Sequence, residues 1–313
     1  MNFQTFDLNL LRIFDAVMTE QNITRAAERL STTQPAVSNA LKRLREAAND
    51  DILVRTARGM KPTPRAEELW PTVRAALASL ENVLAPEHFD ISTAKASLRI
   101  AMADSTANLL LPQLMERIRK QAPGIDIRMI PLPGRDPRPM LLNADADLAV
   151  GSFPGIVAQL REGQQRDVTL HHLRLYSGEP MCIMRKGHPL ADQELTIDRY
   201  CEALHLLVSF SGSPSGPADD VLATLGKSRR IALTVNQFST AFHMVACSDL
   251  IAVVPHHLIE ASNFADQLEV KVLPFQLPIV YVDMLWHERD MRHPVHKWVR
   301  ETVTRIPAVS EHD

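Results

Sequence analysis

Leu10, Leu11, Phe14, Val17 and Met18 recur at three- and four-residue spacing, which predicts an amphipathic helix from Asp7 to about Thr19. Ile23, Ala26, Ala27 and Leu30 repeat the pattern over a shorter span, with Asn22 placed to cap it. Ser31-Thr32-Thr33 interrupts the pattern. Thr33 then suits the N-cap of a third helix whose first turn holds Pro35, where the missing N–H needs no partner. Val37, Ala40, Leu41, Leu44 and Ala48 form its apolar stripe, and Gln34, Ser38, Asn39, Lys42 and Arg45 its polar face. Residues 53–63 read as two short arms around Arg58-Gly59, a hairpin tip carrying Arg55, Arg58 and Lys61. From Thr63-Pro64 onward Ala66, Trp70, Val73, Leu77, Leu80 and Leu84 alternate at four and three residues, a seam that wants a partner helix. Pro71 removes the backbone bond to Glu67, so a kink or break is expected there. Residues 86–97, with Pro86 and a run of Ser, Thr and Ala, read as a hinge.

Past residue 97 the period changes. Apolar runs such as LRIAMA, IDIRMI, DLAVGS, LHLLVSF, RRIALTV and DLIAVVP alternate with helical patterns. Continuous apolar strands between helices predict α/β architecture with a mostly parallel sheet covered on both faces. In open α/β sheets, ligands sit beyond the carboxyl ends of strands. The candidate ligand-binding residues are therefore Ser105 and Thr106, which head a helix whose free N–H groups suit an anion. To these are added Pro131, Ser152, Phe153, Ser209, Phe210, Gln237 and Phe238. Each has a plainer reading: the hydroxyls cap helices, and Phe153 and Phe238 fill the core.

A chain of 313 residues that is 45% hydrophobic and 23% charged suits about two soluble domains. The N-terminus has no basic region ahead of an apolar one and no eighteen apolar residues run together, so the expected location is cytoplasmic and no membrane partner is expected. Cys182, Cys201 and Cys247 lack a CxxC pattern and read as buried, reduced thiols. Residues 1–65 carry a formal charge of +3 and the remainder −6, a basic head on an acidic body. GxGxxG, GxxxxGK[ST] and HExxH are missing, and GSPSG at 212–216 misplaces its serine for a nucleophile elbow. His171-His172, His256-His257 and His293-Pro294-Val295-His296 lack ligand spacing, so neither a catalytic residue, a metal nor a cofactor is expected beyond a small bound ligand.

A short helix, a tight turn and a second helix with a polar N-terminal half match a helix-turn-helix, although a solvated helical hairpin shares the pattern. Gln and Asn bond adenine edges, while Lys42 or Arg43 neutralises phosphate or reads guanine. The basic hairpin reads as a wing beside it. AAERL, QPAVS, KRL and VRT, in that order and spacing, resemble the DNA-binding domain of LysR-type transcriptional regulators over about the first 65 residues. The resemblance implies a winged helix-turn-helix contacting double-stranded DNA through Thr33, Gln34, Pro35, Ser38, Asn39, Lys42, Arg55 and Arg58. Arg45 stands where most members carry an acid, and Ile52-Leu53 replaces the usual Leu-Phe. RLREAANDDILVRT is closer to the branch including regulators of nodulation and of aromatic degradation.

The resemblance further implies a two-lobed α/β effector-binding domain like periplasmic solute-binding proteins. The expected layout is residues 1–63 for DNA binding, 64–97 for linker and hinge, and 98–313 for the effector. Lobe I would take 98–165 and 270–306, and lobe II 166–269. Expected partners are DNA, a small-molecule effector and a second copy through the linker helix, with a homotetramer and RNA polymerase as further candidates. The competing reading is a small-molecule enzyme or solute-binding module with an incidental helical extension.

Overall fold

The computed structural model describes residues 6–56, 59–83, 89–132, 134, 136–161, 169–210 and 212–306. The chain divides into two compact units, Met1–Glu87 with Arg138–Asp145, and His88–Pro137 with Ala146–Asp313.

In the first unit, three helices, α1 (Asn9–Glu20), α2 (Ile23–Arg29) and α3 (Gln34–Ala48), precede a two-stranded hairpin of β1 (Leu53–Thr56) and β2 (Gly59–Pro62). Asn22 accepts the N–H groups of Thr24 and Arg25 and so starts α2, while Thr33 Oγ1 accepts that of Ala36 at the head of α3. Phe14, Val17, Met18, Ala26, Ala27, Val37, Leu41 and Leu44 close over a common core with Ile52 and Leu53. Ile52 holds φ 63°, which a β-branched residue rarely adopts. The strain is held by burial of its side chain and by Asp50 Oδ1, which accepts Ile52 N–H and the Thr63 hydroxyl, each at 2.6 Å.

α4 (Pro64–Val83) runs through Pro71 as one helix, so the expected break does not occur. Proline removes a single ladder bond, and the flanking turns are anchored. Trp70 Nε1 donates to Asp15 at 2.9 Å, and the Arg74 guanidinium lies 3.9 Å over the Trp70 ring while bonding the same carboxylate. The heptad seam is correspondingly divided. Ala66, Trp70 and Val73 pack on the unit's own core, Leu77 is half-buried, Leu80 is 52% exposed, and Leu84 lies outside the described residues.

Among the described residues, the second unit holds two five-stranded sheets. The first runs β4-β3-β5-β12-β6, built from β3 (Ala96–Met102), β4 (Ile125–Ile130), β5 (Leu148–Gly151), β6 (Leu170–Gly178) and β12 (Val280–His287). α5 (Asp104–Gln121) joins β3 to β4, and α7 (Pro154–Arg161) follows β5. α6 (Arg138–Leu142) leaves this run and is counted with the first unit. The second sheet runs β11-β7-β10-β8-β9, built from β7 (Pro180–Arg185), β8 (Leu204–Val208), β9 (Arg230–Val235), β10 (Leu250–Pro255) and β11 (Leu268–Lys271). Its helices are α8 (Ile197–Glu202), α9 (Pro217–Thr224), α10 (Phe238–Ala246) and α11 (His257–Glu260), and α12 (Pro294–Thr304) returns to the first core.

Each sheet is half parallel and half antiparallel, not mostly parallel as expected. β3 runs parallel to β4 and β5, but β12 is antiparallel to both its neighbours. β8 runs parallel to β9 and β10, and β7 antiparallel to β10 and β11. The cause is topological: the chain passes from β6 into β7 and from β11 into β12 without the helical crossover that parallel neighbours require. Those passages also move the lobe boundaries. Leu170–Gly178 pairs in the first sheet although 166 onward was expected in lobe II, and Leu268–Lys271 pairs in the second although lobe I was expected to resume at 270. Gly178 closes the first passage, where an added Cβ would collide with the His257 imidazole. Only Cys182 is fully buried; Cys201 is half-buried and Cys247 exposed, which corrects the expectation of three buried thiols.

Candidate nucleic-acid interface and effector groove

α3 is amphipathic, and burial of Val37, Leu41 and Leu44 turns its other side to solvent. Thr33, Gln34, Pro35, Asn39 and Lys42 are exposed and Ser38 is half-buried, so the sequence-selected positions share one accessible strip. Gln34 Nε2 donates to Ser38 Oγ at 3.1 Å, one turn along, which aligns the two side chains on that strip. The other basic residues of α3 are engaged elsewhere. Arg43 pairs with Asp7 at 3.0 Å. Arg45 donates from Nε to Asp51 O at 2.7 Å and from Nη2 to Leu53 O at 3.1 Å. Arg45 thus ties the end of α3 to the start of the hairpin, a task that an acidic side chain lacks the donors to perform. Arg55 is exposed on β1; Arg58 lies outside the described residues.

In the second unit the strand ends place the effector candidates unevenly. Ser209 and Phe210, after β8, line a groove of about 540 Å³ with Gly212, Thr234, Val235, Asn236 and Thr240. Phe238 joins them through an edge-on contact with Phe210, ring centroids 6.1 Å apart, while Gln237 is exposed at the N-cap of α10. Pro131 and Ser152 are exposed after β4 and β5. Ser105 and Thr106 are buried in the first turn of α5. Phe153 is 2% exposed and its ring closes against Gly151, where a Cβ would meet it at 3.0 Å. That placement makes Phe153 core, the plainer of its two readings. Thr234, Asn236 and Thr240 were not selected from sequence: Asn236 and Thr240, after β9 and in the first turn of α10, carry the same signal as Gln237, whereas Thr234 lies within β9 and carries none.

Two further groups belong to this region. Asp104 opens α5, and its Oδ2 accepts the Ser239 N–H at 3.0 Å, joining the first-sheet lobe to α10 of the second. Tyr176, at the end of β6, meets the buried His257 ring edge-on at 4.9 Å. Burial pushes the Tyr176 hydroxyl well above the usual phenol range and lowers His257 to about 4, so both are neutral at pH 7.

Residues 8–67 match the family model described as bacterial regulatory helix-turn-helix protein, lysR family, and residues 92–306 match the LysR substrate binding domain. The chain is 33% identical to the HTH-type transcriptional activator NahR of Pseudomonas putida over 302 residues, covering 96% of this chain and 97% of that one. It is 27% identical to nodulation protein D 1 of Rhizobium leguminosarum bv. phaseoli, covering 99% and 98%. The solved structure of the probable transcriptional regulator PA0477 from Pseudomonas aeruginosa superposes with TM-score 0.73 at 26% identity, covering 97% of this chain and 98% of that one.

Proposed function

The chain belongs to the LysR family of bacterial transcriptional regulators, and from that premise we propose that Gln34, Ser38 and Asn39 read operator bases while Thr33, Pro35, Lys42, Arg55 and Arg58 position the duplex. The exposed strip on α3 is the observation that carries this reading. Regulation by a small-molecule effector comes with the family, whose relatives are transcriptional regulators and not enzymes. For the effector we assign the groove of Ser209, Phe210, Thr234, Asn236 and Thr240, together with Gln237 and Phe238 at the head of α10 and with Ser105, Thr106, Pro131 and Ser152 at strand and helix ends of the other lobe. Two aromatic rings among hydroxyls and an amide favour a small, partly apolar ligand.

The half-buried Leu77 and exposed Leu80 on α4 support a homodimer through that helix, the unit from which a tetramer would assemble. Effector binding then acts by population shift: it favours one arrangement of the two lobes, and the oligomer re-spaces its α3 helices on DNA, in the cytoplasm and within reach of RNA polymerase. The test is a mobility-shift titration against the DNA upstream of the chain's own gene at moderate salt, with random duplex as control. A specific complex supports the reading; equal affinity for both duplexes refutes it.

A further inference from the structure

The N-terminus of α10 is not capped by its own sequence. Gln237 stands at the N-cap with extended backbone but makes no side-chain hydrogen bond, and the first N–H groups of any helix lack an internal acceptor. What fills the place is a carboxylate from the other lobe: Asp104 Oδ2 accepts Ser239 N–H at 3.0 Å, across 135 residues of chain. Asp104 is itself the first residue of α5, whose N-cap, Ala103, also offers no side chain. One negative charge therefore stands at the positive ends of two helices that belong to different sheets, a placement each helix dipole favours. Neither helix needs this device for its own formation, since an ordinary Ser, Thr or Asn at position 103 or 237 would cap locally. The bond does something local caps cannot: it couples the spacing of the lobes to a charge-assisted contact beside the groove that Thr240 lines, one residue from Ser239.

We propose that the Asp104–Ser239 bond is a latch between the lobes, holding the arrangement seen here, and that regulation acts by releasing it. Asp104 is then a positioning residue for the effector response and not a ligand-contacting one. This deepens the effector reading above and rests on it for its regulatory meaning, while the latch itself has a readout without any effector. In the full-length protein, Asp104→Ala should speed amide hydrogen exchange in the segment around Ser239 and Thr240 roughly tenfold or more, the scale expected for losing a hydrogen bond to a charged acceptor. Asp104→Asn, which keeps an acceptor without the charge, should fall between.

Ser239→Pro deletes the donor instead of the acceptor. Proline is tolerated in a first helical turn, as Pro35 is in α3. On effector-free operator footprints, Asp104→Ala and Ser239→Pro should shift the protected region alike, and the double variant no further than either alone. Unchanged exchange in a folded Asp104→Ala protein, or additive footprint shifts, would overturn the latch. A panel of small acids and aromatics that leaves the wild-type melting temperature unmoved, together with intact Asp104-dependent exchange, would instead count against the effector reading and leave the latch standing.

Discussion

Gln34 and Arg45 lie on the same helix and look interchangeable as polar groove residues, yet their surroundings separate them. Gln34 is exposed and aligned by Ser38, whereas Arg45 spends two donors on backbone carbonyls of the hairpin entry. Gln34→Ala should therefore lose roughly 1–3 kcal/mol of operator affinity with relaxed base preference, measured by competition titration against single-base variants. Arg45→Glu should weaken operator and random duplex together, because it disturbs the placement of the hairpin and not base readout. Buried histidines give a second prediction at this scale. His296 is 4% exposed, and burial lowers it to about 3; burial likewise takes His205 and His257 to about 4. Because these values lie below the unfolded one of about 6.5, the unfolded chain binds protons that the folded chain refuses. Their stabilising contribution is complete above about pH 6.5 and is lost as pH falls toward 4 and 3. The melting temperature should fall between pH 7 and pH 5, and His296→Gln should flatten that fall in part.

Among the elements, α4 shows how one apolar seam serves two masters. Its first half, Ala66, Trp70 and Val73, is consumed by the unit's own core, while Leu77 and Leu80 stay outside that core, where the proposed dimer seam would use them. On the proposed dimerisation through α4, wild type should run as a dimer in light scattering and Leu77→Glu with Leu80→Glu as a monomer with the helical circular dichroism nearly intact; a variant that runs like wild type would refute that seam. At the passage from β6 to β7, Gly178→Ala should lower stability by more than the gain usually expected from replacing glycine, since the new methyl displaces His257. Thermal unfolding checks the sign. Periodicity located α1 to α4, the two hairpin arms and most strands of the body, but it passed over β6 and β11. β6, LHHLRLYSG, is an edge strand with polar side chains interleaved, and β11 is only four residues long; neither makes the continuous apolar run that marks a strand buried on both faces.

For the molecule as a whole, the charge asymmetry between residues 1–65 and the rest, +3 against −6, has a measurable consequence. DNA affinity should fall steeply with salt, and Lys42→Gln and Arg55→Gln should each reduce the slope of log affinity against log salt by about 1, without changing base preference. The chain's total charge of −3 conceals this, because a duplex meets the field of one face and not the sum.

The amino-acid order alone determined the helical triplet, its caps at Asn22 and Thr33, the polar strip on α3, the α/β character of the body and the family, because each is written in local spacing or in contiguous motifs. Tertiary structure alone decided which half of the α4 seam is left over, why Arg45 is tolerated, that Phe153 is core, where the chain passes between lobes, and that Asp104 caps a helix 135 residues away. These are pairings between segments distant in sequence, and their partners are set by packing and by hydrogen-bond satisfaction across the fold, which no periodicity along the chain records.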